Sequence, residues 1–206
     1  MSTIEAVKPP AVEAGSRVRE TRLNLANLLT FSRILLIPVF VVLFINPTPK
    51  RSLAAAIVFV VAAVTDLLDG YIARRRGEIT KLGRLLDPIA DKLLVLSGLI
   101  LLVQFDRVMA LVAILIIARE VAVTGVRAIA ATEGVVLEAE TIGKWKMAMQ
   151  VIAIVLLILE GSLLPLAMPL HWLGTLLLYV ALGLGLVSGG QYLVSFWQRV
   201  ASKKLL

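Results

Sequence analysis

The chain contains no cysteine, which excludes disulfide bonds and thiolate-held metals. Its one histidine, His171, stands beside Trp172 and far along the chain from any acid cluster, so it is read as an interfacial residue rather than a metal ligand. Between Glu160 and His171 there is neither lysine nor arginine. No internal repeat and no low-complexity tract is present. No cleavable signal is expected, because the first apolar run is too long and no small-residue cleavage site follows it.

What the chain has in excess is apolar surface. Of its 206 residues 59% are hydrophobic and the mean hydropathy is +0.94, against about 45–50% apolar in soluble domains. Six stretches approach the ~20 apolar residues a membrane-crossing helix needs. They run over about 25–45, 53–72, 85–105, 108–131, 146–159 and 172–197. The fold expected is therefore an all-α integral membrane protein of six transmembrane helices. The net charge of +7 would suggest nucleic acid in a soluble protein. Here the charges lie between apolar runs, so anionic lipid head groups are the expected partners and nucleic acid is not.

Basic residues in short loops set the orientation. Lys8, Arg17, Arg19 and Arg22 precede the first span; Arg74, Arg75, Arg76, Lys81 and Arg84 surround the second connection; Lys144 and Lys146 precede the fifth span; Arg199, Lys203 and Lys204 follow the sixth. Lys50 and Arg51 alone run against the trend. Both termini are expected in the cytoplasm, as an even number of spans requires. Residues 1–22 form a cytoplasmic leader, with Arg17 to Arg22 as a possible short surface helix, 23–199 the six-helix domain and 200–206 a basic tail. Trp145 and Trp197 are expected to anchor at the interfaces.

The second and third spans carry the chemistry. Asp66 and Asp69 are three residues apart and Asp87 and Asp91 four apart, so each pair shares a helical face. A short basic loop joins the two helices, which makes them antiparallel neighbours with all four acids near one end. Each carboxylate in a span costs at least ~2.5–3.5 kcal/mol, and four together repel. A positive counterpart must offset this. Hard oxygen donors without nearby histidine or cysteine point to Mg²⁺ or Mn²⁺ rather than zinc. Two such ions would neutralise the cluster and clamp a diphosphate. Pairing of the acids with Arg74, Arg75, Arg76 and Arg84 explains charge balance but not the four-acid geometry.

From Asp66 to Asp91 the sequence reads D-x2-D-G-x2-A-R-x8-G-x3-D-x3-D. This resembles, at every defined position, the signature of the CDP-alcohol phosphotransferase family. The resemblance implies that Asp66, Asp69 and Asp87 ligate the metals and that Asp91 touches a metal and acts as general base. It implies that Gly70, Ala73, Arg74 and Gly83 shape the CDP pocket, with Thr80 near it, and that the protein is a homodimer. In this chemistry an alcohol attacks the β-phosphorus of a CDP-activated lipid and CMP leaves, which needs positioning and charge neutralisation more than covalent catalysis.

The acceptor is read from softer motifs. Arg119-Glu120 and Arg127 interrupt the fourth apolar stretch, and Lys144 and Lys146 open the fifth. Several cations near an anionic metal site suggest an acceptor that carries a phosphate. Glu120 and Arg127, seven apart, are expected to share a face and to be able to pair. The stretches Asn27-Leu28-Leu29-Thr30 with Arg33, Ala118-Arg119-Glu120 with Arg127, and Ile142-Gly143-Lys144 with Lys146 and Gln150 resemble the phosphatidylglycerophosphate synthase branch. That likeness implies CDP-diacylglycerol as donor, glycerol 3-phosphate as acceptor and the bacterial cytoplasmic membrane as location. It adds Asn27, Thr30 and Arg33 to the donor pocket and Arg119, Arg127, Lys144 and Lys146 to an acceptor-phosphate pocket. Inositol phosphate is the alternative acceptor. A transporter or ion channel is the rival from another class, since intramembrane acids also mark ion paths. Against it, the acids gather at one end, and the fifth and sixth stretches are almost without polar residues mid-span. Gly183 and Gly185 in the sixth stretch are expected to support packing between subunits.

Overall fold

The computed structural model describes residues 25–76, 81–132, 141–163 and 166–203, with the side chains of 25–30, 66–76, 81–89, 91, 131, 141–142 and 199–203 outside the description. The leader 1–22, Thr80 and residues 204–206 lie outside the described residues. Among the described residues every element is helical: α1 Leu25–Phe44, α2 Pro49–Arg76, α3 Lys81–Gln104, α4 Ala110–Thr132, α5 Thr141–Leu159 and α6 Ala167–Lys203.

Each of the six apolar stretches matches one of these helices and overruns it by no more than two residues, while most of the helices run on past their stretch. α2 continues to Arg76 and α6 to Lys203, because Arg and Lys are good helix formers and nothing in the apolar count registers that. At its other end α2 starts at Pro49, where a missing N–H costs nothing. The Arg51 backbone N–H donates to Thr48 Oγ1 at 3.4 Å, a capping contact. The α3–α4 turn closes with Arg107 N–H on Leu102 O at 2.9 Å and Asp106 N–H on Val103 O at 3.1 Å. Asp106 takes the left-handed position, φ 56°, that glycine usually fills in this helix ending.

The core runs through all six helices. Phe40 and Phe44 of α1, Phe59 of α2, Leu99 and Leu102 of α3, Ile116 of α4, Ile154 and Leu157 of α5 and Leu178 of α6 are buried together. Phe40 meets Phe59 edge-on at 5.3 Å, and Phe44 meets Phe105 at 5.5 Å. α1 packs on α2 and α3, α5 packs most extensively on α6, and α4 also lies on α6. The polar exception at this end is Arg107. Its guanidinium donates to Leu157 O at 2.8 Å and Ile158 O at 3.2 Å, satisfying carbonyls in the last turn of α5.

The outward faces are apolar as well. Leu35 is 70% exposed, Val42 and Val121 62% each, and Leu176 60%, on three different helices; that distribution is not the single patch of a soluble protein. Ala167–Gln198 within α6 is long and apolar enough to cross a membrane; Phe31–Phe44 and Lys92–Gln104 are apolar but shorter, among the described residues.

Gly174 sets the α5–α6 approach. A Cβ there would lie 2.8 Å from Leu157 Cγ and 3.2 Å from Ala153 O, so a side chain must push backbone as well as side chain aside. Gly174→Ala is expected to destabilise by about 1–3 kcal/mol, seen as a lower melting midpoint of detergent-solubilised protein. Gly183→Ala, with nothing within 4 Å, is the comparison and should be neutral or slightly stabilising. Equal melting of both variants would contradict this packing.

Candidate active site

The acid motif occupies two neighbouring helices. Asp66, Asp69, Gly70, Ala73 and Arg74 stand in the last three turns of α2, and Gly83, Asp87 and Asp91 in the first three turns of α3. Only four residues separate the two helices, which contact each other. The three- and four-residue spacings therefore lie on helical backbone, as the sequence implies. The side chains of these residues, and of Asn27 and Thr30 on α1, lie outside the described ones. Arg33 is described: it is fully buried in α1, the helix that packs on both α2 and α3. It stands eight residues from the start of α1, and Asp66 and Asp91 stand ten from the shared end of α2 and α3. At 1.5 Å per residue all three lie about 12–15 Å along the bundle. Among the described residues no group of three histidine, cysteine or acidic side chains could hold a metal; the four expected ligands are not among those side chains.

The side chains expected to hold an acceptor phosphate are described in detail. Arg119 of α4 spreads its guanidinium over three acceptors: Nε donates to Gly185 O at 2.8 Å, Nη1 to Glu120 Oε1 at 3.0 Å and Nη2 to Ser188 Oγ at 2.6 Å. The Lys146 ammonium, from α5, donates to that same Glu120 oxygen. Lys146 and Ser188 are buried and Glu120 is about one-fifth exposed. One carboxylate thus ties α4 to α5, and the arginine it holds ties α4 to α6. α6 lies close against both cations: a Cβ on Gly189 would stand 3.4 Å from Arg119 and one on Gly185 3.6 Å from Lys146, ordinary van der Waals contact.

The structure sorts the four cations expected to form one pocket. Arg119 and Lys146 meet through Glu120. Arg127, two turns further along α4, donates to the Tyr192 hydroxyl, with its Cζ 4.6 Å from that ring's centroid; it is not paired with Glu120 as the seven-residue spacing had suggested. Lys144 is exposed. Gly185 faces Arg119 and Lys146 of its own chain rather than a free surface. Gln150, which the sequence groups with Lys146, and Ser188 are buried polar residues in stretches that have few. At the opposite end His171 Nδ1 lies 2.9 Å from Glu160 Oε2, away from the acids. Trp145, Trp172 and Trp197 are all more than 60% exposed, as interfacial anchors require.

Between α3, α4 and α5 lies a cavity of about 420 Å³, counting its mouth, with Lys92, Glu120, Lys146 and Gln150 on its polar side and Val95, Leu96, Leu99, Ile116, Ile117 and Met147 on the other. A smaller one of about 160 Å³ continues past Arg119 to Gly185 on α6. Lys92 was not singled out by the sequence, although it directly follows Asp91.

The family model for CDP-alcohol phosphatidyltransferase matches residues 23–187. The chain belongs to that family. As a CDP-alcohol phosphatidyltransferase it is an enzyme of phosphatidyl transfer, and its relatives share nearly its whole length. The CDP-diacylglycerol–glycerol-3-phosphate 3-phosphatidyltransferase of Bacillus subtilis (strain 168) is 41% identical over 187 residues, 85% of this chain and 96% of the relative. The protein of the same name from Pseudomonas fluorescens is 41% identical over 182 residues, 85% and 91% of the two chains. A cardiolipin synthase (CMP-forming) of Oryza sativa subsp. japonica is 38% identical over 191 residues, 85% of this chain but 58% of its own.

Removing one partner from a buried ion pair strands the other charges, at about 3–5 kcal/mol. Glu120 is partly exposed, so Glu120→Ala should cost somewhat less, about 2–3 kcal/mol, while Glu120→Gln, which keeps the hydrogen-bond acceptor, should cost less again. Melting midpoints of the two variants check this. A Glu120→Ala protein as stable as the parent would mean that Arg119 and Lys146 are held by α6 alone.

Proposed function

We propose that the protein transfers the phosphatidyl group of CDP-diacylglycerol to glycerol 3-phosphate, giving phosphatidylglycerol phosphate and CMP, in the cytoplasmic membrane of a bacterium. The observation that carries this reading is the Arg119–Glu120–Lys146 cluster. It supplies buried cations for a phosphorylated acceptor in a chain whose bacterial relatives carry that activity in their names. The apolar outer faces of α1 to α6 support six crossings, and the basic flanks support both termini on the cytoplasmic side. We take 23–199 as the catalytic domain between a leader and a basic tail. A homodimer is part of the proposal.

In this reading Asp66, Asp69, Asp87 and Asp91 would hold two divalent cations, Mg²⁺ or Mn²⁺. Four hard oxygen donors on adjacent helical ends suit such ions, whose chemistry there is to neutralise the diphosphate. Gly70, Ala73, Arg74, Thr80 and Gly83, with Asn27, Thr30 and Arg33 of α1, bind and orient the CDP-lipid. Arg33, fully buried in the helix that packs on both α2 and α3, would stand on the side of the donor's diphosphate. Asp91 takes the proton from the acceptor hydroxyl as its oxygen bonds to the β-phosphorus, and the bond from that phosphorus to the CMP oxygen breaks. Arg119 and Lys146 orient the acceptor's phosphate, Arg127 stiffens α4 against α6, and exposed Lys144 serves at the mouth.

Three measurements test this on the purified full chain. CMP release should need a divalent cation, and full activity in excess chelator would remove the metals. Asp91→Asn should lose about 10²–10⁴-fold in turnover while CDP-lipid binding persists; a variant keeping a tenth of the rate would unseat Asp91 as base. With glycerol 3-phosphate, inositol phosphate and phosphatidylglycerol offered in turn, only the first should turn over well. Lys146→Ala should raise its KM by roughly 10–150-fold, and Lys144→Ala by far less. Equal turnover of unphosphorylated glycerol would remove the phosphate pocket.

A further inference from the structure

Arg119 and Glu120 belong to one helix, and the carboxylate is shared with Lys146. Among the described residues, the hydrogen bonds that fix Arg119 against a helix other than its own are the two on α6: Nε on Gly185 O at 2.8 Å and Nη2 on Ser188 Oγ at 2.6 Å. Ser188 is fully buried. Its hydroxyl has a single hydrogen, which it gives to Gly185 O at 3.3 Å. The oxygen is thereby left to accept, and the donor it meets is a guanidinium; such a charge-assisted bond is roughly twice as strong as a neutral one. A guanidinium is a rigid plane with five N–H groups. One on each nitrogen is committed in the contacts to Gly185, Glu120 and Ser188, which fixes the plane. The remaining N–H on each terminal nitrogen then points in a set direction.

The same face of α4 meets α6 in two further places. A Cβ on Gly189 would stand 3.5 Å from Val123 Cγ2, and Arg127 donates to the Tyr192 hydroxyl. Residues 119, 123 and 127 are four apart and share a face. They meet α6 in the same order along the chain, at 185 to 188, then 189, then 192, so the two helices run parallel there. Val123 and Arg127 set the rotation and depth of α4, and would do so with any small residue at 188. They do not set the tilt of the Arg119 guanidinium about its own stem, which needs a second fixed acceptor beside Gly185 O. Glu120 alone does not provide it, because its oxygen answers to Lys146 as well. Ser188 does.

We propose that Ser188 of α6 is a positioning residue for the transfer: its hydroxyl holds the Arg119 guanidinium in the plane from which that arginine meets the acceptor's phosphate. The proposal rests on the acceptor-phosphate reading above. Ser188 acts through Arg119 and not on the substrate, so its removal weakens acceptor binding while the acids of α2 and α3, on other helices, keep their geometry.

The test is steady-state kinetics of the full-length protein in neutral detergent micelles, with glycerol 3-phosphate and CDP-diacylglycerol varied in turn, on Ser188→Ala, Arg119→Gln and the double variant. Ser188→Ala should raise the acceptor KM about 3- to 30-fold, the reach of a substitution that acts through a neighbour, while turnover and donor KM hold. Arg119→Gln should raise it at least as far. In the double variant the effects should not multiply: with the guanidinium gone, loss of the hydroxyl should change the acceptor KM by less than about twofold. A residue that merely braces α6 would act on the Arg119→Gln protein as it does on the parent. Ser188→Cys, close in volume but a weak acceptor, should give the same rise and decides the matter should Ser188→Ala fail to fold. An acceptor KM that moves in Arg119→Gln but in neither Ser188 variant overturns the proposal and leaves the acceptor-phosphate reading standing. If Arg119→Gln leaves it unmoved, the proposal falls whatever Ser188 does, and the reading falls with it only if Lys146→Ala leaves it unmoved too. Effects that multiply in the double variant, or a shift in donor KM or turnover at unchanged acceptor KM, assign Ser188 to packing and overturn its positioning role.

Discussion

A charge placed between apolar helices has no water to stabilise it, so its position is fixed by whichever partners the neighbouring helices supply. Glu120 is where this constraint governs the structure. Its one oxygen accepts from a cation of its own helix and a cation of α5, and the arginine it holds reaches on to α6. Three helices are thereby registered at a single depth. An aliphatic seam between the same helices could slide by a turn with little loss; a bridging carboxylate cannot.

The same constraint separates the two ends of the bundle. At one end the aromatic contacts of Phe40, Phe44, Phe59 and Phe105 fill the core, and Arg107 spends its charge on helix-end carbonyls. At the other, α2 and α3 carry the acids and α4 and α5 the cations. A reaction that brings together a diphosphate and a phosphorylated alcohol must hold two groups of like charge close to each other. An arrangement that gives each its own counter-charge, on different helices, keeps the two from repelling at the moment of transfer.

Much of this was legible in the sequence, for identifiable reasons. Long apolar runs locate helices because hydrophobic length is a one-dimensional property, and the spacing of Asp66, Asp69, Asp87 and Asp91 places them on helical faces because helical periodicity is local. Helix ends were less legible: Arg76 and Lys203 extend helices past their apolar part, which no apolar count can detect. Partner choice was least legible. The seven-residue interval from Glu120 to Arg127 fixes a shared face, but not the neighbour that face meets. In the fold Arg127 meets Tyr192 of α6, and Glu120 turns to Arg119 and Lys146.

Gly185, Ser188 and Gly189 make the same point from the other side. In sequence only Gly185 stands out, with Gly183, as a small residue for close packing between subunits. In the fold an arginine from α4 lies against Gly185, Ser188 and Gly189, and Gly185 and Ser188 accept its hydrogen bonds. A Cβ at 185 or 189 would make only ordinary van der Waals contact with the cations; the carbonyl of Gly185 and the hydroxyl of Ser188 are what hold the guanidinium, and with it the geometry of Glu120. The geometry of Glu120 and its two cations therefore depends on α6 as much as on the helices that line the cavity, and on backbone and hydroxyl acceptors that go unnoticed until the arginine they hold is seen.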